Sequence, residues 1–462
     1  ETTLQFYNTL TRSKRPLQPL APPRVSVFTC GPTVDNRIHI GQCRRFILAD
    51  LLCRYLEYKA YDVTHIMNIT DLDDKTIQAS EKAGIDIRAF TDSHFRAFLD
   101  DMEALGVKPA TRYARASDHI EEMIALTSKL LEKGFAYEKL QSVYFDISRF
   151  AGYGKLSGVD LNKIRLGSTV DLDEYEKDNP RDFTLLKRAK LSELRRGIYT
   201  KTEWGNVRPS WHIQSVAIAM KYLGCPFDIY TSSKDLLFPH HENEIAISGA
   251  ATGSVLANCW IHTELVLSQG KKAEAGPGVP YVRDLLDKGY SGRAIRYWML
   301  SHNHRKPLPF SYKALDQAAG ALKRLDECVH RLADVEQTGP AYAELDQLLY
   351  DLKTEFTDAL DDDLDISRAM ASIFRQVRKI NRLLTDGRID KTAAKRIIQA
   401  LSRINDVVNL FSFEQPSLDT HIEQLIRQRQ EARRNQNWAL ADKIREQLKA
   451  LGVQPRDTKI SG

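Results

Sequence analysis

Two short segments combine residue types that can bind a nucleotide or a metal ion. The first, His39-Ile-Gly-Gln42, lies between a strand-like stretch, 24–30, and a helix-like stretch, 41–57. Free backbone N–H groups and the helix dipole favour phosphate at such a junction, and the His39 imidazole and Gln42 amide could steady a triphosphate. Gly41 would let a ligand approach the backbone. The alternative interpretation is that His39 only caps the helix or packs in the core.

The second segment, 238–244, places His240 and Glu244 at i and i+4 of one helix face. This spacing suits a zinc ion as well as an ordinary hydrogen bond. Cys30, at the end of the first strand, could complete a three-point site. The carboxylates of 70–75 have a simpler interpretation, because acidic residues are favoured at a helix N-terminus.

The elements around these residues predict an α/β fold. Stretches 24–30, 41–57 and 62–69 read as strand, helix and strand, which is a βαβ unit with a parallel sheet. The loop between the first strand and its helix therefore lies where open α/β sheets bind ligands. Two helices are expected within 89–134, with Gly134 ending the second.

The rest of the chain predicts an insertion, a return to the sheet and a helical region. A strand at 141–147 precedes 148–210, which we interpret as an irregular insertion rich in charge, Gly and Pro. Further sheet-domain elements are a strand near 227–230, a helix over 240–251 and a strand around 263–267. From 312 onward the apolar residues follow helical periodicity, which favours a helical bundle ending in a pair at 421–434 and 437–450.

Composition and charge exclude several classes of protein. The 462 residues contain 66 basic and 61 acidic side chains, a net charge of +5, with 42% hydrophobic content. No run approaches the about 18 apolar residues of a membrane span, and the six cysteines lack CxxC spacing. These features favour a cytoplasmic protein with reduced thiols. A local basic excess in the final helical pair is compatible with nucleic acid, or with a solvated helix face.

Taken in order, the motifs resemble those of the cysteinyl-tRNA synthetase family. The similar segments are TCGPTVDNRIHIGQ (29–42), NITDLDDK (68–75), RPSWHIQS (208–215), FPHHENEIA (238–246), ALDDDLDISRA (359–369) and EQLIRQRQEARRNQNWALADKIREQL (423–448). The resemblance spans nearly the whole chain. A shorter relative that joins cysteine to an amino sugar shares the catalytic half, but the helical C-terminal region argues against it.

The resemblance implies a Rossmann-like class I synthetase catalytic domain followed by an all-α helical bundle. It also implies ATP with Mg²⁺, an amino acid and tRNA as ligands, and a monomer without membrane attachment. The expected segments are a first catalytic half (1–115), an inserted connective region (116–205), a second catalytic half (206–310), a stem-contact helical domain (311–412) and an anticodon-binding-like helical pair (413–462).

The resemblance also assigns expected roles to individual residues. Those matching catalytic groups are His39, Gln42, Lys271 and Lys272. Those matching nucleotide-binding groups are Gly31, Thr33, His39, Gly41, Asp235 and Glu274. Those matching substrate-binding groups are Cys30, Thr70 and Trp211. The family's zinc ion, which binds the substrate thiolate, would be held by Cys30, Ser215, His240 and Glu244.

Three departures from the family pattern fall inside this expected site. Ser215 stands where the family has a zinc-binding cysteine, so zinc is expected to bind weakly or not at all. Thr231-Ser-Ser233 replaces a glycine-rich segment beside the adenosine, and its side chains are expected to occupy space left empty there. Glu274 stands where a lysine of the KMSKS loop would stabilise pyrophosphate. A shift in the loop's register could bring Lys271 or Lys272 to that place.

The departures indicate a divergent paralogue and leave three hypotheses. The first is an active ligase that activates cysteine or a related amino acid and transfers it to tRNA. The second is a tRNA-binding or regulatory protein that has lost adenylation. The third is an enzyme that transfers the amino acid to an acceptor other than tRNA.

Overall fold

The structure is a computed structural model that describes residues 2–163, 177–340, 342–414 and 418–453. Its strands are β1 (Gln5–Asn8), β2 (Ser13–Pro16), β3 (Arg24–Thr29), β4 (Asp62–Ile69), β5 (Arg112–Arg115), β6 (Ala136–Lys139), β7 (Ser142–Phe145), β8 (Phe183–Arg188), β9 (Thr200–Thr202), β10 (Gly205–Pro209), β11 (Phe227–Ser233), β12 (Ala257–Thr263), β13 (Val266–Ser268), β14 (Lys271–Lys272) and β15 (Leu308–Pro309). Its α-helices are α1 (Ile40–Tyr58), α2 (Asp74–Ala83), α3 (Ile87–Ala104), α4 (Ile120–Glu132), α5 (Leu191–Arg195), α6 (Trp211–Leu223), α7 (Glu242–Thr252), α8 (Val282–Asp287), α9 (Gly292–Met299), α10 (Tyr312–Ala333), α11 (Leu345–Asp361), α12 (Ile366–Thr385), α13 (Lys391–Val408), α14 (Leu418–Arg434) and α15 (Trp438–Ala450).

A parallel sheet of order β12-β11-β3-β4-β5 forms the centre of the catalytic part of the fold. Side chains alternate between its faces, so Val27 packs with α1 in one core while Phe28 packs with α6 and α7 in the other. Helix α1 is buried almost all round because it lies between the sheet and the helical region. The predicted βαβ unit and Rossmann-like fold are confirmed.

The insertion is more regular than the sequence predicts. Within 148–210, which is predicted to be irregular, the chain forms β8, α5, β9 and β10. The three strands join an antiparallel sheet of order β6-β7-β8-β10-β9. The prediction was wrong here because β8 is short and ends in charged residues. Its pairing partner β7 precedes the insertion in the sequence. Strand β5 was likewise not predicted, whereas α2 begins at Asp74, within the segment 70–75 that indicated a helix N-terminus.

From 312 onward the regular elements of the described residues are helices, as predicted. Helices α10 to α13 pack into a bundle whose core is continuous with that of α1. Helices α14 and α15 pair around a separate small core of Leu425, Ile444 and Leu448. In the described ranges no helix is both long enough and apolar enough to cross a lipid bilayer.

A buried charge network joins α1 to the helical region. Asp50 Oδ2 lies 2.8 Å from Arg54 Nε and 2.7 Å from Arg296 Nη2. Arg296, which is fully buried, also donates from Nε to the carbonyl oxygen of Val408 at 2.8 Å. Asp50 therefore compensates a guanidinium that fixes the end of α13 against the catalytic part of the fold.

The substitution Asp50→Asn tests this network. It leaves the buried Arg296 guanidinium without a compensating charge, so we expect a loss of about 3–5 kcal/mol of stability and a clearly lower melting temperature. The control is Asp406→Asn, because the Asp406 side chain is 57% exposed and pairs with Arg403 at the surface. We expect it to melt within about 1 °C of the parent protein, since exposed pairs contribute little. Equal melting temperatures for the two variants would contradict the proposed importance of Asp50.

Candidate active site

A cavity of about 330 Å³ opens at the carboxyl ends of β3 and β4, beside the start of α1. Most of the predicted site residues border it. These are Cys30, Gly31, Thr33, His39, Gly41, Gln42, Thr70, Trp211, Asp235, His240, Lys272 and Glu274. Three predicted residues are not part of the lining. Ser215 and Glu244 lie deeper, with Glu244 in contact with His240, whereas Lys271 is exposed.

His39 is both the cap of α1 and a lining residue of the cavity. Its Nδ1 accepts the N–H of Gly41 at 3.1 Å, and Gln42 Oε1 accepts the N–H of His39 at 3.2 Å. Burial, and then the charges of Arg45 and Lys272, lower the pKa of His39 to about 4. The ring is therefore neutral near pH 7 and holds its proton on Nε2, where it can donate to a ligand.

Gly41 makes room for the protein's own main chain. A Cβ atom at this position would lie 2.2 Å from the carbonyl oxygen of Ala273. The loop after β14 therefore packs against the first turn of α1. The sequence predicts that a ligand approaches the backbone at Gly41. In the structure this loop approaches it.

Of the two lysines predicted at the loop, only Lys272 reaches the cavity. Its Nζ lies 3.0 Å from Asp235 Oδ2 and 3.4 Å from Glu274 Oε1. Neighbouring residues of a strand point to opposite sides, so β14 directs Lys271 away from the same space. Burial opposes ionisation of Asp235, but a hydrogen bond from Ser233 and the charge of Lys272 hold its pKa below the ordinary value.

The side chains of 231–233 do not obstruct the cavity in the expected way. The Thr231 hydroxyl lies 2.7 Å from the hydroxyl of Thr29 on the neighbouring strand. Ser233 Oγ donates to Asp235 Oδ1 at 2.5 Å. Neither residue borders the cavity, and neither does Ser232. Their hydroxyl groups are buried at the end of β11, so this departure changes the support of Asp235 rather than the space beside it.

The deep end of the cavity is built around the fully buried carboxylate of Glu244. Its Oε1 accepts hydrogen bonds from Ser215 Oγ at 2.6 Å and from Tyr230 OH at 3.1 Å. His240 Nε2 lies 2.7 Å from the same oxygen. The Trp211 ring stacks on His240 with ring centroids 3.6 Å apart and an interplanar angle of 2°. The Glu244 carboxylate therefore fixes the His240 ring, which borders the cavity.

His240 and His212 have opposite protonation preferences. Burial lowers the pKa of His240, but the charge of Glu244 and hydrogen bonds with Cys30 and Glu244 together raise the pKa to about 9. Burial, followed by the nearby His240, lowers the pKa of His212 well below its ordinary value. The two Nδ1 atoms lie 2.9 Å apart, so the charged His240 donates to the neutral His212.

Ser215 fits a zinc ion less well than the cysteine it replaces. Ser215 contributes a neutral hydroxyl that donates to Glu244, and the His240 nitrogen facing that carboxylate is occupied by the same contact. Cys30 adjoins Tyr230 and His240. Over the described ranges, no three His, Cys, Asp or Glu side chains converge as metal ligands. The residues proposed as ligands form a hydrogen-bonded cluster instead.

Two residues at this site, Tyr230 and Arg45, were not predicted from the sequence. Tyr230 lies in the predicted strand 227–230, and its contact with Glu244 depends on a residue 14 positions away. Arg45 lies three residues after Gln42 and borders the cavity although its side chain is in a helix of mostly apolar residues. The available signal was a pair of adjacent arginines, Arg44 and Arg45, within a helix that is otherwise rich in apolar residues.

Zinc content tests the assignment of Ser215. After loading with zinc and gel filtration, elemental analysis of the unmodified protein should show well under one zinc per chain. Ser215→Cys should raise the zinc content because it supplies a thiolate beside Cys30 and His240. Ser215→Ala is the matched control, because it removes the hydroxyl without adding a ligand. One zinc per chain in the unmodified protein would show that the hydrogen-bonded cluster is wrongly interpreted.

Three family descriptions match successive parts of the sequence. The first, tRNA synthetases class I (C) catalytic domain, matches residues 16–320. The second is a DALR domain over 355–412. The third, the cysteinyl-tRNA ligase anticodon binding domain, matches 415–459.

Individual relatives agree with these matches. The cysteine–tRNA ligase of Methanosarcina mazei is 39% identical over 462 residues, covering 99% of this chain and 98% of the relative. That of Leptospira interrogans is also 39% identical, with 99% and 98% covered. The fold is similar to a Mycobacterium tuberculosis methionyl-tRNA synthetase bound to methionyl-adenylate, with a TM-score of 0.62 and 15% identity over 84% of this chain and 92% of that one. The chain belongs to the cysteinyl-tRNA synthetase family of class I aminoacyl-tRNA synthetases.

Proposed function

We propose that the protein is an ATP-dependent ligase that activates cysteine or a related amino acid as an adenylate and transfers it to tRNA. The main support is that one cavity is bordered by a nucleotide side, with His39, Asp235 and Lys272, and by an amino-acid side, with Trp211 and His240. Relatives similar over the whole chain are cysteine–tRNA ligases, which supports the same type of reaction.

In the proposed activation step, the amino-acid carboxylate attacks the α-phosphorus of ATP, and pyrophosphate leaves with Mg²⁺. The neutral His39 donates from Nε2 to a phosphate oxygen at the positive end of α1. When the ribose hydroxyl groups bind Asp235, Lys272 leaves that carboxylate and binds a phosphate instead. Lys272 would thus stabilise pyrophosphate in place of the lysine that the family has at position 274.

The amino-acid side chain would be recognised without zinc. His240 and Glu244 form a compensated pair, so the cavity wall gains no net charge from them. Trp211 covers the ring, and Cys30 lies at the same end of the cavity. We therefore propose that the substrate is a small amino acid whose polar side-chain atom exchanges hydrogen bonds with this cluster.

The helical half would bind tRNA. Helices α14 and α15 present more basic than acidic side chains, and the matching family description is an anticodon binding domain. We propose that the chain is divided into the five predicted segments, from the catalytic halves to the final helical pair. Segment 311–412 would contact the tRNA stem. Binding should weaken as salt increases, because phosphate contacts release counterions.

A second candidate function is tRNA binding without adenylation. It is favoured by the pairing of Lys272 with Asp235, since the carboxylate proposed for ribose is then already compensated by the protein's own chain. Glu274 at the cavity rim adds a negative charge near the phosphates. This candidate predicts salt-dependent tRNA retention and no adenylate formation.

Amino-acid-dependent exchange between pyrophosphate and ATP distinguishes the two candidates. With a panel of amino acids we expect exchange with cysteine or a close analogue. Lys272→Met should reduce it by about 100-fold or more, because a charge that stabilises the leaving group is lost. Lys82→Met is the control, since Lys82 is exposed on α2 outside the cavity. Absence of exchange with every amino acid at micromolar enzyme would refute the proposed reaction.

A charging assay with total tRNA then tests the acceptor. We expect the amino acid that supports exchange to become acid-precipitable on tRNA. Exchange without charging would refute tRNA as the acceptor and favour transfer to another molecule. Retention of tRNA at low salt without any exchange would favour the second candidate.

A further inference from the structure

A buried guanidinium at the cavity forms no ion pair with any carboxylate of the described residues. Arg45 is 8% exposed and borders the cavity. Its Nε donates to the carbonyl oxygen of Cys30, and its Nη2 donates to that of Gly31, both at 3.0 Å. Nη1 makes no hydrogen bond to any residue in the described ranges, and no carboxylate there forms an ion pair with Arg45. A buried charge held only by neutral acceptors is costly unless a ligand compensates it.

The position of Arg45 relates it to the nucleotide side of the cavity. His39 caps α1, and Gln42 and Arg45 follow at three-residue intervals, which places them along one helix face. Two fixed carbonyl groups hold the guanidinium at the ends of β3 and the following loop. The planar group is therefore oriented before any ligand arrives, whereas a lysine on a loop must be ordered.

The charges near His39 explain why such a group is needed. Arg45, Lys272, Asp235 and Glu274 all act on the His39 ring. Lys272 lies within 4 Å of both carboxylates, so it can bind a phosphate only after it leaves Asp235. Among the residues that border the cavity, Arg37, Lys75 and Lys272 equal Asp35, Asp235 and Glu274 in number, so Arg45 gives the lining a net positive charge that attracts a triphosphate.

We propose that Arg45 is a phosphate-binding residue for the nucleotide, supplying from α1 the fixed positive charge that Glu274 does not supply from the loop. This inference rests on the proposed function in so far as the ligand is ATP. It assigns the charge to a helix residue that no motif in the sequence marks. The alternative role of Arg45 is a structural clamp that only joins α1 to the end of β3.

Calorimetric titration with ATP and Mg²⁺, and separately with adenosine, tests the proposal. Arg45→Met should weaken ATP binding by about tenfold or more, because a charged hydrogen bond is lost. Adenosine has no phosphate, so the affinity of Arg45→Met for adenosine should stay within about twofold of that of the parent protein. Arg149→Met is the control, since that side chain is 70% exposed, and it should leave both affinities unchanged.

A second variant separates charge from clamping. Arg45→Gln keeps a donor toward the main-chain carbonyl groups but removes the charge, so it should show the same selective loss of ATP affinity even if Arg45→Met does not fold. Unchanged ATP affinity in Arg45→Gln, or equal losses for ATP and adenosine, would overturn the proposal, as would the absence of ATP binding by the parent protein. These titrations contain no amino acid or tRNA, so a failure of pyrophosphate exchange alone would refute the proposed reaction and not the role of Arg45.

Discussion

The buried carboxylate of Glu244 is the constraint on which the deep end of the cavity depends. A charge removed from water must be compensated by partners with good geometry. Here three elements supply them, because Ser215 belongs to α6, Tyr230 to β11 and His240 to the turn before α7. The compensation also determines where Trp211 lies, since its ring stacks on the paired His240. The hydroxyl group at position 215 is therefore an integrated part of the cluster.

The nucleotide side of the cavity is organised by close packing rather than by a buried charge pair. The loop after β14 lies against α1 at Gly41, where any side chain would collide with the Ala273 carbonyl group. This contact brings Lys272 and Glu274 to the cavity together. The proposed function accordingly depends on two cations of different origin, Lys272 on the loop and Arg45 on the helix.

Sequence reasoning predicted those features that depend on local spacing. The pattern around His39 and Gln42 indicated a strand-to-helix junction, and the helical half followed from its apolar periodicity. His39 caps α1, as one interpretation predicted, and it also borders the cavity, where phosphate binding stays a proposal. The family resemblance named most of these cavity residues in advance, and it also named Ser215, which lies deeper beside Glu244.

Features that depend on distant partners could not be predicted in the same way. Strand β8 forms because β7 and β10 pair with it, which its own short and charged sequence does not indicate. The hydroxyl groups of 231–233 were expected beside the ligand, but Thr231 pairs with Thr29 across the sheet. Which lysine of β14 reaches the cavity depends on strand alternation and on the packing of the loop against α1.

The central claim is that the amino acid is recognised by a hydrogen-bonded cluster around Glu244 without zinc. The most direct test is amino-acid-dependent pyrophosphate exchange by protein stripped with a strong zinc chelator, dialysed, and supplied with Mg²⁺ alone. We predict that the exchange rate stays within about twofold of the untreated protein, since no metal ligand is needed for side-chain recognition. Loss of exchange on stripping, with recovery on addition of stoichiometric zinc, would contradict it.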